Sequence, residues 1–379
     1  MSIYSDYIPF GKPNFSDAEI EAVSKVMRSG WIGMGPETIA FEGELSAFLN
    51  APFAITVNSC TSALFLSLKV MGIEAGDEVI CPSLTWCATA NAALYLGATP
   101  VFCDVDPETF CMTTETIKAK ITEKTRAVMV VHYGGYAVDV KALRKELPES
   151  IVIIEDAAHA LGSKYSDGTM VGSSGNMTCF SFYANKNLST GEGGAIALFD
   201  ENSADKLKSL RQNGMPVDAW KRFSQPQKML YYTLEELGYK MNYTDLQACI
   251  GRIQLRRQPE FNRIRSEIVD CYMKNLSFLG DKIQFQKGID SPSHSKHLCP
   301  VLIKTSEFSR DDFVLKLRSA NIGASIHYAP LHKMPLYKRS CHLDIVDKIS
   351  EKIMTLPISS SLTLAEAEYI TDTIKGLKI

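Results

Sequence analysis

The sequence predicts an α/β fold: a mostly parallel mixed sheet of about seven strands, followed by a smaller C-terminal α+β domain. Two observations lead there. Along the first two-thirds of the chain, short runs rich in β-branched residues alternate with stretches of helical period. Those runs are almost continuously hydrophobic, as strands covered on both faces must be.

In chain order the runs are FAITVNS, DEVICPS, TPVFCDV, RAVMVVHY, SIVIIEDA, TCFSF and GGAIALF. Segments of 3.6-residue period such as CTSALFLSLKVMG stand between them as crossover helices. The last connection, from Tyr183 to Glu192, is too short for a crossover, so the two strands it joins should run antiparallel with Lys186 at their junction. From about residue 255 the texture changes. GRIQLRRQPEFNRIRSEIVDCYMKNL predicts one long amphipathic helix linking a domain over 1–255 to a second over 256–379. The second domain adds strand-like KIQFQK, HLCPVLIK and IGASIHYA and helical SRDDFVLKLRSAN and LAEAEYITDTIKGL, while SPSHSKH is a surface loop by composition.

Composition removes several function classes. With 379 residues and 45% hydrophobic content the chain can bury a sizeable core. A net charge of -3 without long runs of one sign argues against nucleic acid or an anionic membrane as partner. MSIYSDYIPFGKP lacks the basic and apolar regions of a leader, and no segment approaches 18 apolar residues, so a cytoplasmic location is expected. The ten cysteines are scattered with no C-x-x-C pair, which reads as buried reduced thiols.

Four local features carry chemistry. Asp156 in IVIIEDAAHALGS follows directly on a strand, at the edge where open α/β sheets bind ligands, although an acid at a strand end is more often a helix cap. In VNSCTSALF, Ser59, Thr61, Ser62 and the free amides of a helix N-terminus can hold a phosphate or merely cap the helix. Trp86 in CPSLTWCATANA can cover a planar ligand or pack in the core. Lys186 taken alone is a solvated surface group. Together, a phosphate site, a flat ring, a carboxylate and an amine at strand ends of one sheet supply what pyridoxal 5'-phosphate requires.

The chain also resembles the DegT/DnrJ/EryC1/StrS sugar aminotransferases, fold-type I pyridoxal phosphate enzymes. The resemblance runs from RSGWIGMGPETIAFE through GDEVICPSLTW, PVFCDVDPETF, EDAAHALGS, SFYANKNLSTGEGG and GYKMNYTDLQACIG to SIHYAPLH and TLPIS. It implies that Lys186 is the Schiff-base lysine, Asp156 the partner of the pyridine nitrogen and Trp86 the stacking ring. His159 falls near the cofactor's phenolic oxygen, and Cys60, Thr61 and Ser181 fall at its phosphate. Many members have Gly where Cys60 stands and Arg where Asn242 stands. In the subgroup resembling 4-amino-arabinose-type aminotransferases this Asn reaches the partner's phosphate, which implies a homodimer with two composite sites; a helix cap is the other reading of Asn242. Trp31, His327, Tyr328 and His332 match the family's substrate-side segments. Two histidines five apart with no nearby carboxylate pair do not predict a metal. GMGPET lacks the last glycine and the preceding strand of a dinucleotide fingerprint, and no P-loop occurs.

The expected activity is amino transfer from L-glutamate to a keto sugar, foremost a nucleotide-linked keto-deoxysugar, in amino sugar biosynthesis for a surface polysaccharide, lipopolysaccharide or glycosylated metabolite. An 8-oxo octulosonate sugar or a keto cyclitol is an alternative substrate. A sugar dehydratase of this family has histidine in place of the lysine, and a cofactor-binding regulator would show no transfer.

Overall fold

The computed structural model describes residues 6–215, 234, 236–307, 309–337 and 341–377; the first five residues of the stretch examined for a leader lie outside them. All seven runs form strands: β1 (Phe53–Val57), β2 (Glu78–Pro82), β3 (Thr99–Cys103), β4 (Thr125–Val131), β5 (Val152–Asp156), β6 (Met177–Ser181) and β7 (Gly194–Leu198), in the order β1-β7-β6-β5-β4-β2-β3. Pairs from β3 across to β6 are parallel. Strand β7 is antiparallel to both neighbours, so the short connection before it makes the sheet mixed.

The helices of this part are α1 (Asp17–Ser29), α2 (Pro36–Leu49), α3 (Cys60–Val70), α4 (Cys87–Leu94), α5 (Thr114–Lys118), α6 (Val140–Glu146) and α7 (Glu201–Leu210). Helix α3 lies against β5, β6 and β7 and buries residues around most of its circumference, including Ala63, Leu64, Leu66 and Leu68. Beyond it come α8 (Asp245–Arg256), α9 (Gln258–Leu276), β8 (Ile283–Phe285), β9 (Cys299–Ile303), α10 (Arg310–Ser319), α11 (Asp344–Ser350), β10 (Ile353–Leu356) and α12 (Leu364–Gly376). Strands β10-β9-β8 form a second, antiparallel sheet.

Three expectations are corrected here. The long linking helix is two helices, because Pro259 opens α9; a proline lacks the amide and crowds the carbonyl four residues back, but suits a first turn. IGASIHYA forms no strand. Its hydrogen bonds are divided instead: Gly323 N donates to Ile8 O at 2.8 Å, where a Cβ on Gly323 would stand 2.7 Å from that oxygen, and Ser325 exchanges backbone bonds with Thr355 of β10 in one isolated bridge. The third strand is β10. SPSHSKH is a surface loop only in its first half, since His294, Ser295, Lys296 and His297 are all buried with their polar atoms bonded, while Pro292 is exposed.

Two hydrophobic clusters result. One surrounds the large sheet and includes Phe41, Leu66, Val128, Ile154 and Phe180. The other joins α9, α10, α12 and the small sheet through Ile268, Tyr272, Val301, Phe313 and Ile370, and takes Ile8 from the N-terminal segment. Among the described residues, no helix is long and apolar enough to cross a membrane.

Candidate active site

One cavity of about 460 Å³ opens where five strands or the turns after them end: Ser59 follows β1, Thr85 follows β2, and Val131, Asp156 and Ser181 close β4, β5 and β6. Ligands collect at this edge of a parallel sheet because helix N-termini and loop residues converge there. Lys186 enters it from the β6–β7 loop.

At the start of α3, Ser59 is the cap: its Oγ accepts from Ser62 N at 3.1 Å. Ser62 Oγ donates to Asn58 Oδ1 at 2.7 Å and does not line the cavity, so Ser62 is structural. Cys60 and Thr61 do line it, and their first-turn amides have no carbonyl within the helix. The partly positive end of α3 therefore faces an anion-sized opening. A Cβ on Gly194 would stand 2.7 Å from Cys60 N, so a larger residue there would push on this turn.

Asp156 caps no helix. Its Oδ2 accepts from Thr89 Oγ1 at 2.8 Å and its Oδ1 from Ala158 N at 3.1 Å. Burial raises its carboxyl above the ordinary range, opposed by those bonds and by the charge of Lys186. Thr89 accepts in turn from Thr85 Oγ1 at 3.0 Å. This relay was not read from the sequence, although Thr85 and Thr89 stand four apart at the head of a helix that follows a strand. Thr89→Val should leave one carboxylate oxygen without its donor; bonds to charged groups contribute about 1.5 to 3 kcal/mol, so turnover should fall roughly 10- to 100-fold with the fold retained. A rate within twofold of the parent would show that the relay does not matter.

Lys186 is held by its own loop, with its amide donating to Tyr183 O at 2.9 Å. Burial pushes its pKa down to about 8, against a counter-pull from Cys60 and Asp156. His159 accepts from Gly134 N at Nδ1 (3.3 Å), so its proton sits on Nε2 and faces Tyr328 Oη at 3.0 Å. Burial, followed by the charge of Lys186, holds His159 well below the usual histidine range and therefore neutral. His327 accepts a Tyr133 hydroxyl at its carbonyl and pairs Nδ1 with Thr355 Oγ1 at 3.0 Å. Burial, then Lys186, takes its pKa down to about 4. Trp86 is 61% exposed, with its ring 5.9 Å from that of Tyr328, so it is a free face at the cavity and not a core residue.

Three of the substrate-side and phosphate candidates lie elsewhere in this chain. His332 is buried away from the cavity, with Nδ1 2.7 Å from Ser83 Oγ and Nε2 3.2 Å from Asp347 Oδ1; it ties its turn to the end of β2. Trp31 and Asn242 line a separate cleft of about 350 Å³, together with Gln212 and Lys240. Asn242 is not the cap of α8, which is Thr244 in a capping box with Gln247. The cavity's Tyr183, Asn185 and Glu192 were not singled out in the sequence, nor was His297, 3.4 Å from Lys186 Nζ.

The donor set fits pyridoxal phosphate: a buried carboxylate for a ring nitrogen, a desolvated amine for an aldehyde, a helix N-terminus for a phosphate and an exposed ring for the flat face. Asn185, in the cavity wall, has a buried Oδ1 with no hydrogen-bond partner among the described residues. Among those residues no cluster of metal-ligating side chains occurs.

Comparison with known proteins agrees with this geometry. The model of the DegT/DnrJ/EryC1/StrS aminotransferase family matches residues 13–375. The spore coat polysaccharide biosynthesis protein SpsC of Bacillus subtilis is 37% identical over 380 residues, covering 98% of this chain and 97% of its own. Spr1654 from Streptococcus pneumoniae, solved in its PMP form, superposes with a TM-score of 0.90 at 32% identity over 98% of both chains. Helicobacter pylori PseC, an aminotransferase involved in the biosynthesis of pseudoaminic acid, gives 0.88 at 25% identity over 98% of this chain and 99% of its own. With the family model matching nearly the whole length and solved sugar aminotransferases superposing over 98% of the chain, this chain belongs to the DegT/DnrJ/EryC1/StrS family and is a pyridoxal-phosphate-dependent sugar aminotransferase.

Proposed function

We propose that the enzyme moves the amino group of L-glutamate to a nucleotide-linked keto-deoxysugar, in the cytoplasm, during synthesis of an amino sugar for a surface polysaccharide, a lipopolysaccharide or a glycosylated metabolite. The observation that carries this reading is Lys186 and Asp156 in one cavity whose remaining wall includes Trp86, Tyr183 and Tyr328. Flat aromatic faces beside hydrogen-bonding groups suit a sugar ring. The polysaccharide and pseudoaminic acid roles of SpsC and PseC support an amino sugar product.

Bound pyridoxal phosphate supplies an aldehyde that carries the nitrogen and a ring that withdraws electrons from the reacting carbon. The protein does the rest. Asp156 would keep a proton on the ring nitrogen. Lys186, with a pKa near 8 in the cavity, takes and returns a proton at neutral pH. The α3 N-terminus and Ser181 would hold the phosphate, with Trp86 available to cover the ring and neutral His159 beside it. A panel of free and nucleotide-linked keto sugars offered with glutamate, read by mass spectrometry for the one-nitrogen product, tests the substrate. Amination of free keto sugars alone would overturn the nucleotide-linked reading.

The same reading makes the enzyme a homodimer. Trp31 and Asn242 share a cleft with Lys240 and do not line the first cavity, as expected of residues that complete a partner's site. A Lys186→Ala chain paired with an Asn242→Ala chain would then hold one doubly damaged site and one intact site. Loss of an amide bond to a phosphate should raise the cofactor dissociation constant roughly 10- to 100-fold. Mixing the two variants under subunit exchange should restore activity at limiting cofactor. No recovery, with heterodimers confirmed by native mass spectrometry, would place Asn242 in its own chain's site or outside any site.

A further inference from the structure

The segment between β8 and β9, polar in sequence and buried in the structure, brings a histidine to the catalytic amine. We infer that His297 is a positioning residue for Lys186: its Nε2 lone pair receives one Lys186 N–H and so aims the amine whenever that amine is not joined to the cofactor. The inference rests on Lys186 being the reacting amine of the proposed function, and deepens that reading.

The hydrogen-bond directions leave one arrangement. Asn187 Nδ2 donates to Ser295 O at 3.0 Å, so its Oδ1 is the atom turned to His297 Nδ1, also at 3.0 Å. An amide oxygen only accepts, so Nδ1 carries the proton. Burial first, and then the charges around it, hold His297 well below the usual range, so the ring is neutral and Nε2 has a free lone pair. Lys186 Nζ lies 3.4 Å from that atom. An ammonium has donors alone, and the contact therefore runs from lysine to histidine.

The ring is also clamped. It lies 4.6 Å from the His159 ring at 32°. Arg265, itself 2% exposed, donates through Nη1 to Lys296 O at 3.2 Å and to His297 O at 3.5 Å. Gln258 Nε2 donates to Asn187 O at 2.9 Å, and Ser295 Oγ to His159 O at 2.8 Å. Helix α9 and both loops thus fix a group whose one unshared atom meets the lysine. With one N–H anchored, the lone pair of the neutral amine is confined to the directions that face away from His297. Such fixed orientation of a proton carrier is worth rate that a freely rotating amine forfeits.

The test reads Lys186 directly in cofactor-free protein, so its outcome does not depend on which sugar is the substrate. Amine-reactive labelling followed by peptide mapping, across pH, measures the fraction of neutral amine at position 186. Labelling should rise with pH through about 8 in the parent. The charged or titratable groups facing this amine are Asp156, Cys60, His159 and His327, and Arg265 faces His297; none of these is changed in the variants. In His297→Leu the ammonium loses an acceptor, so the midpoint should fall by about one pH unit. In the reloaded enzyme kcat should fall roughly tenfold with KM little changed, as for a lost orientation. His297→Gln, whose amide oxygen reaches toward the same point, should recover most of both. An unchanged midpoint in His297→Leu, or a Gln variant no better than Leu, would overturn the assignment. Should His297→Leu not fold, Asn187→Ala carries the test: it frees the tautomer, the midpoint should fall in the same direction, and an unmoved midpoint would overturn the proposal.

Discussion

Lys186→Ala is expected to lose amino transfer by about 10⁴-fold or more, the upper end of what a positioned acid or base contributes. In the proposed function the side chain serves twice, as the covalent attachment and as the proton carrier, and alanine supplies neither. The cofactor should still bind, because the α3 N-terminus, Ser181, Asp156 and Trp86 remain. Borohydride treatment followed by peptide mapping should therefore fix the cofactor to position 186 in the parent and to no peptide of the variant. A second buried lysine makes the result informative. Lys296 is 2% exposed, but its ammonium donates to Ser291 O at 2.8 Å and to His294 O at 3.2 Å and does not line the cavity. Because the truncated side chain leaves room in a cavity of about 460 Å³, added methylamine should restore part of the lost rate. A label on Lys296, or a variant with more than a hundredth of the parent rate, would refute the assignment of Lys186.

The large sheet was legible because each of its strands is buried on both faces, so hydrophobicity marks strand after strand without tertiary knowledge. The antiparallel reversal at β7 followed from loop length alone. The C-terminal part was less legible. IGASIHYA has the β-branched texture of a strand, yet its partners are divided between the far N-terminus at Ile8 and a single bridge to Thr355 of β10, a pairing that no local signal announces. Pro259 was visible and its meaning was missed, since a proline inside an amphipathic pattern starts a new helix as readily as it bends an old one.

The site was legible where chemistry concentrates in short motifs at strand ends: Cys60, Thr61, Trp86, Asp156, His159, Ser181, Lys186, His327 and Tyr328 all line one cavity. It was illegible where a residue acts through others. Thr89 and His297 touch Asp156 and Lys186 from helix α4 and from a loop more than a hundred residues along, and composition alone placed the second of these at the surface. Seven polar or small residues in a row read as solvated because their partners are distant in sequence. Burial here depends on those partners, not on hydrophobicity.

Asp156→Asn should separate the electrostatic role of this residue from its structural one. Asparagine has the same shape but one acceptor in place of two. Its oxygen can keep the bond from Ala158 N, a donor that cannot turn, while its NH₂ faces Thr89. The Thr89 hydroxyl can rotate to accept and donate instead to Thr85, reversing the relay without moving the backbone. The fold should survive, and what is lost is the buried negative charge proposed to face the ring nitrogen. Turnover should fall on the order of 10² to 10³-fold, as when one preorganised electrostatic group is removed. Cofactor affinity should fall roughly 10-fold or more. Stability of the cofactor-free protein should move the other way. Burial raises the carboxyl's pKa in the folded state, so its charged form costs folding free energy above the unfolded pKa, and the neutral amide relieves that cost. In denaturant titrations the cofactor-free variant should therefore match or exceed the parent near pH 8, and the gap should close as pH falls and the parent's carboxyl takes up its proton. A variant that turns over at the parent rate, or one whose cofactor-free form is destabilised at pH 8, would reduce Asp156 to a structural hydrogen-bond acceptor at the end of β5.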